Sequence, residues 1–179
     1  CGIPYIFGSL ESANQNVIPD ASLLDLGIEL VIDEVLVINR DNKTITTKKG
    51  DEYSYEKMIV CTGSHPTIIP IDGIQLPGVY SIKKDVEYLT KLKTDLQGAE
   101  NVVIIGGGFI GIEMADEINK MGKNVTIVEA LPHCLALAFD PEFSIHMEEV
   151  LSETGISILT HTKVMRLSGT DKVDGVVLS

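Results

Sequence analysis

Gly106, Gly108 and Gly111 stand in the spacing G-x-G-x-x-G within the stretch VVIIGGGFIGIEMA, Val102 to Ala115. The apolar residues before them have the length of a short buried strand, and those after them carry helical periodicity. A strand that turns sharply into a helix narrows the possible folds severely, because the two elements must pack side by side on one sheet. Each glycine has a mechanical reason. Gly106 allows the tight turn, Gly108 lets a diphosphate approach the backbone, and Gly111 lets the helix lie close on the strand. The free N–H groups and positive dipole end of the helix then favour an anion. Gly107, Phe109 and Ile110 fill the positions between and belong to the same candidate site.

The residues around the loop read as alternating strands and helices. SIKKDVEYLTKLKTDLQG places Val86, Leu89, Leu92 and Leu96 at helical spacing, with Ser81 as cap and Gly98 as stop. NVVII reads as a strand, Gly108 to Met121 as a helix ended by Gly122, and NVTIVEA as a second strand. Asp140 and Pro141 open a further helix that Gly155 ends. Short strands are expected near ISIL, KVMRL and GVVLS. That order predicts an α/β fold, a Rossmann-like parallel sheet with crossover helices. In the helix after the loop, Ile110, Gly111, Met114, Ala115, Ile118 and Met121 form the face expected against the sheet. Phe109 and Glu113 share the other side, where they either contact the nicotinamide end of a dinucleotide or are a half-exposed Phe and a solvated Glu.

Glu129 ends the second strand. A carboxylate there accepts hydrogen bonds from a ribose 2′-OH and repels a 2′-phosphate. Ala130, Leu131 and Pro132 bring no cation to offset it, and His133 is the one nearby residue able to carry positive charge. The expected cofactor is therefore NAD(H) in preference to NADP(H).

The front half differs. VLVINR, KTITTK and EYSY read as a β-meander with turns at Asp41-Asn42 and Gly50-Asp51, followed by one apolar strand, KMIVCTG. The Pro- and Gly-rich link PTIIPIDGIQLPG places a boundary near Leu76, giving domains 1–76 and 77–179. The formal charge of −12 and scattered lysines argue against a nucleic-acid groove. No apolar run is long enough for a membrane span and no secretion signal is visible. Cys1, Cys61 and Cys134 are at no metal-ligand spacing, so no metal site is expected, and the expected compartment is reducing, the cytoplasm.

VVIIGGGFIGIEMADEINKMGKNVTIVEA resembles the NAD-binding domain of the flavin-dependent pyridine nucleotide–disulfide oxidoreductases. YEKMIVCTGSHPTIIPIDG is similar to that family's second flavin-contact motif and its link into the NAD domain, and FDPEFSIHMEEVLSETGISI to the helix and strand beyond the NAD site. CGIPYIFG resembles the redox-cysteine segment of the single-cysteine branch, which holds NADH oxidases and peroxidases and coenzyme A-disulfide reductases. In that family the NAD domain is inserted into the FAD domain, so residues 1–76 correspond to part of a flavin domain. The resemblance implies FAD as a second cofactor, contacted by Thr62 and Gly63, and makes Cys1 the redox-active residue. Cys61, where the family usually has Ala, reads as a small buried residue, and His65 as a surface residue.

The resemblance implies transfer of a hydride from NADH to FAD, and of electrons onward to Cys1 or to an acceptor. The acceptor is oxygen, peroxide, a coenzyme A disulfide or persulfide, or an electron-carrier protein, and the whole protein is expected to be a homodimer. No second glycine fingerprint precedes Cys1 and no later flavin motif follows GVVLS, so the chain reads as part of a larger enzyme, itself without tight FAD binding or turnover. A second reading is a non-catalytic NAD-binding module. An ordinary NAD dehydrogenase would need a general acid or base, and His133, His146 and His161 are loosely placed for that role.

Overall fold

Residues 2–179, described by a computed structural model, begin with a short helix α1 (Tyr5–Gly8), a 3-10 turn (Ala13–Asn16) and a second short helix α2 (Ala21–Leu24). Strands β1 (Val35–Asn39), β2 (Thr44–Thr47) and β3 (Glu52–Ser54) follow, and then helix α3 (Val86–Gln97). Next come β4 (Asn101–Ile105), α4 (Phe109–Lys120), β5 (Asn124–Val128), α5 (Pro141–Glu153) and β6 (Ser157–Leu159). β7 (Val164–Ser168) and β8 (Gly175–Leu178) are last.

These elements form two compact units, Cys1–Val17 with His65–Ser179, and Ile18–Ser64. In the larger unit β4, β5 and β6 make a parallel sheet with β5 in the middle. The helix-period residues bury as their spacing predicts. Leu89, Leu92 and Leu96 of α3 join Met114, Ala115 and Ile118 of α4, and Val125 and Ile127 of β5, in one core. Each large aliphatic side chain so buried contributes about 1.5–3 kcal/mol. Ile3, Ile6 and Phe7 extend that core under α1.

Several expectations are corrected. Asp85, not Ser81, caps α3, because its carboxylate accepts the Tyr88 N–H at 2.7 Å. Ile110, in the first turn of α4, lies 58% exposed rather than packed on the sheet. Glu117 takes a place on the packed face instead, at 2% exposure. β7 and β8 do not extend the parallel sheet but pair with each other as an antiparallel hairpin, in register from Val164↔Leu178 to Ser168↔Gly175. A tight reversal after Ser168 brings the chain straight back, leaving no crossover helix to make the pair parallel.

The link before α3 is held by this hairpin. Leu167 N–H donates to the Asp72 carbonyl at 2.8 Å, and Val173 N–H to the Pro77 carbonyl at 2.9 Å. Gly73 is required there, with φ +82° and a Cβ that would stand 2.4 Å from the Leu167 carbonyl oxygen. The two compact units part after Val17 and after Ser64.

The smaller unit is the expected meander, antiparallel in the order β1-β2-β3. All five residues of β1 are exposed. KMIVCTG is not a strand: no strand among the described residues lies alongside it to share hydrogen bonds, and Ile59 and Val60 are exposed. Cys61 is exposed for the same reason, contrary to the buried site expected of it.

Candidate functional site

The site is built on the carboxyl ends of β4 and β5. Gly106 continues β4 by donating its N–H to the Val128 carbonyl at 2.9 Å, then turns the chain with φ +102°. A side chain at Gly108 would meet nothing within 4 Å, so that face of the loop is open. At Gly111 a Cβ would stand 2.0 Å from the Gly106 carbonyl oxygen and 3.4 Å from Ile104 Cγ2. Only glycine lets α4 approach the strand so closely. Gly108 is the N-cap of α4, with no side-chain cap and no acidic residue in the first turn, which leaves the positive end of the helix unanswered by the protein.

Gly107 has its own reason, which the spacing did not reveal. A Cβ there would lie 2.4 Å from Cys134 Sγ. Its carbonyl accepts the Leu135 N–H at 2.9 Å, and its N–H donates to Glu129 Oε2 at 2.6 Å. The loop after β5 is thereby locked onto the glycine loop after β4. Cys134 is fully buried, and burial with the Glu148 and Glu129 carboxylates nearby pushes its thiol up to about 12. Such a thiol is protonated and inert. Glu148 also takes the Cys134 N–H at 2.7 Å through Oε1 and lies 3.3 Å from His133 Nδ1 through Oε2. His133 is therefore occupied by a carboxylate rather than standing free beside Glu129.

Glu129 is held at every polar atom. Oε1 accepts the Leu131 N–H at 2.7 Å, its backbone N–H donates to Leu159, and its carbonyl accepts from Thr162 at 2.9 Å. Each carboxylate oxygen has further lone pairs for a ligand hydroxyl. Beside it opens a cleft of about 340 Å³ lined by Ile69, Ile71, Ile105, Val128, Thr162 and Lys163, among others. The apolar side chains suit a flat base, and Glu129 with the glycine loop supplies the polar rim.

Phe109 is 55% exposed and meets Phe139 edge-on, ring centroids 5.8 Å apart. Glu113 is exposed one turn farther along α4. Thr62 and Gly63 are exposed residues of the smaller unit, Gly63 at φ +73°. Cys1 lies outside the described residues. His65, His146 and His161 are exposed, and among the described residues no group of His, Cys, Asp and Glu is arranged to hold a metal. No helix among them is long and apolar enough to cross a membrane.

Sequence reasoning missed Glu117. Its Oε2 accepts the Gly8 N–H at 3.2 Å, and its Oε1 accepts Ser9 Oγ at 2.9 Å and Lys120 Nζ at 2.8 Å. Burial alone would raise its carboxyl, but the hydrogen bonds from Lys120 and Ser9 outweigh it and hold the group below its usual 4.5.

Residues 5–179 match the family described as pyridine nucleotide-disulphide oxidoreductase. The NAD(P)H coenzyme A polysulfide/persulfide reductase of Pyrococcus horikoshii is 31% identical over 99% of this chain and 41% of its own length. An NADH oxidase of Methanocaldococcus jannaschii is 28% identical over 98% of the chain and 41% of its own length. Among solved structures, a ferredoxin reductase from Rhodopseudomonas palustris superimposes with a TM-score of 0.87 at 25% identity, covering 99% of this chain and 45% of that one. The chain thus spans about two fifths (41%) of the length of these curated relatives.

Proposed function

Because the chain belongs to the pyridine nucleotide-disulphide oxidoreductase family, we propose that it is the NADH-binding portion of an FAD-dependent oxidoreductase. Residues 77–179 bind NAD(H), and residues 1–76 contribute to the flavin domain. The observation that carries the reading is the open glycine loop with Glu129 tied to it at 2.6 Å. The diphosphate lies against Gly106, Gly107 and Gly108 and the first turn of α4 at Phe109, Ile110 and Gly111, while Glu129 takes the adenosine ribose. The fit is specific: Gly108 leaves room for phosphate oxygens, and the helix start supplies N–H groups without a competing cap. Phe109 and Glu113 face the nicotinamide end.

FAD, when bound, accepts the hydride and releases electrons onward. The work of this chain is placement: Glu129 and the glycine loop orient the dinucleotide, Phe109 limits water at its mouth, and Thr62 and Gly63 offer backbone to the flavin. Cys1 is the redox residue in this reading. Relatives named for persulfide reduction, NADH oxidation and ferredoxin reduction leave the acceptor as either a small molecule or an electron carrier. The whole protein is proposed to be a cytoplasmic homodimer.

Calorimetric titration of the chain with NADH tests the nucleotide site, and absence of binding heat would refute it. In the whole enzyme, Cys1→Ser should abolish thiol-dependent turnover while sparing bleaching of the flavin by NADH. Survival of disulfide or peroxide reduction would remove Cys1 from the mechanism.

A further inference from the structure

The loop between β5 and α5 carries backbone strain at Leu135, whose φ of +56° lies in the left-handed region that residues other than glycine rarely adopt. Such a conformation persists only where its surroundings hold it. On one side the holder is the glycine loop. The Gly107 carbonyl accepts the Leu135 N–H at 2.9 Å, and Cys134 Sγ packs where a Cβ on Gly107 would come within 2.4 Å of it. On the other side it is Glu148, which reaches out of α5. Its Oε1 accepts the Cys134 N–H at 2.7 Å, and its Oε2 lies 3.3 Å from His133 Nδ1. Among the described residues no other side chain bonds to His133 or Cys134.

The Glu148 side chain is 18% exposed and Cys134 is fully buried, so little water competes for the carboxylate. Without Glu148 the Cys134 N–H has no acceptor, and an amide buried without one favours any shift of the chain toward water. That shift would carry Sγ off Gly107 and strain the Leu135 bond. Gly107 is also the residue whose N–H holds Glu129 Oε2 at 2.6 Å. A side chain of α5 is thus joined, through Cys134 and Gly107, to the carboxylate that ends β5 and to the glycine loop that ends β4.

We infer that Glu148 is a positioning residue of the nucleotide site: it fixes the loop after β5, so that Gly107 and Glu129 are in place before the dinucleotide arrives. A loop left loose would have to be ordered by the ligand, and affinity would fall by that cost. The inference rests on the nucleotide reading above and adds to it a residue from outside the two strand ends. The place of the acceptor oxygen matters more than its charge, because the Cys134 N–H can bond to a neutral amide oxygen as well.

The test is calorimetric titration of the full chain with NADH, beside urea denaturation of each variant. Glu148→Ala should weaken NADH by about tenfold, and Glu148→Gln, which keeps an acceptor oxygen at that place, should stay within about threefold of the wild type. Glu148→Asp keeps the charge but draws it back by one methylene, so it should weaken NADH as the alanine does, and it decides the matter if the alanine variant does not fold. Leu151→Ala is the control, since Leu151 is a buried core residue of the same helix that makes no bond to the loop. It should lower the urea midpoint yet leave NADH affinity within about twofold of the wild type. If Glu148→Ala binds NADH as the wild type does, if glutamine fails to rescue, or if Leu151→Ala weakens NADH equally, Glu148 is merely structural and the inference is overturned while the nucleotide site stands. If the wild type itself binds no NADH, both fall.

Discussion

Glu129 Oε2 accepts the N–H of Gly107 at 2.6 Å, so the acidic residue that ends β5 is bonded to the glycine loop that ends β4. One side chain therefore does two things: it shapes the glycine loop and, in the proposed site, it presents a carboxylate to the ribose. The two roles can be separated. Glu129→Ala removes both and should weaken NADH by about tenfold or more while narrowing the preference over NADPH. Glu129→Gln keeps one acceptor oxygen for Gly107 and should lose less affinity, yet still lose the preference. Direct binding titrations check this, and an unchanged NADH-to-NADPH ratio in Glu129→Ala would show that the ribose lies elsewhere.

Gly107 and Cys134 should behave as one unit. Alanine at Gly107 would drive its methyl to 2.4 Å from Cys134 Sγ, and such overpacking typically costs about 1–3 kcal/mol. Removing the sulfur with Cys134→Ala should restore part of that loss, because Sγ is the nearest obstruction while Cβ at 3.0 Å and Cα at 3.2 Å remain. A double-mutant cycle read by urea denaturation should give a favourable coupling for the pair. Additive losses would mean the loop relaxes away from Cys134.

The buried carboxylate of Glu117 makes stability depend on acid. Burial raises its carboxyl, but the Lys120 and Ser9 hydrogen bonds outweigh that, and the folded value lies below the ordinary 4.5. The folded state therefore holds this proton less tightly than the unfolded chain. The contribution is fully present above the ordinary value and is lost as pH falls through the folded one. Urea midpoints measured from about pH 6 down to about pH 3 should fall more steeply in the wild type than in Glu117→Gln. At neutral pH that substitution should cost about 2 kcal/mol, the scale of hydrogen bonds to a charged group.

The cysteines should label unequally. Cys134 is buried with its thiol pushed up to about 12, whereas Cys61 is exposed. Under native conditions an alkylating reagent should modify the Cys61 peptide and spare that of Cys134, and urea should make both react. Mass spectrometry of the digested chain reads this directly. Native labelling of Cys134 would show that the loop after β5 opens readily.

The parts legible in the sequence are those whose cause is local. The glycine spacing, the leucines at helical intervals in α3 and the Asp140-Pro141 helix start each depend on neighbours a few residues away, and each element stands where it was expected. What was not legible depends on distant partners. Glu117 looks like a solvated charge until Gly8 and Ser9 arrive from 108 or more residues away. Gly107 looks redundant between two better-motivated glycines until Cys134 is packed against it. KMIVCTG has the composition of a strand, but strand formation requires a neighbour, and composition does not carry that information.

Gly8 touches α4 so tightly that a methyl group on it would come within 2.4 Å of the Glu117 carbonyl oxygen, while the Glu117 carboxylate grips Gly8 and Ser9. There is no slack at that joint. The N-terminal segment is thereby fastened to the same helix whose first turn follows the glycine loop, so both ends of α4 are committed to a partner.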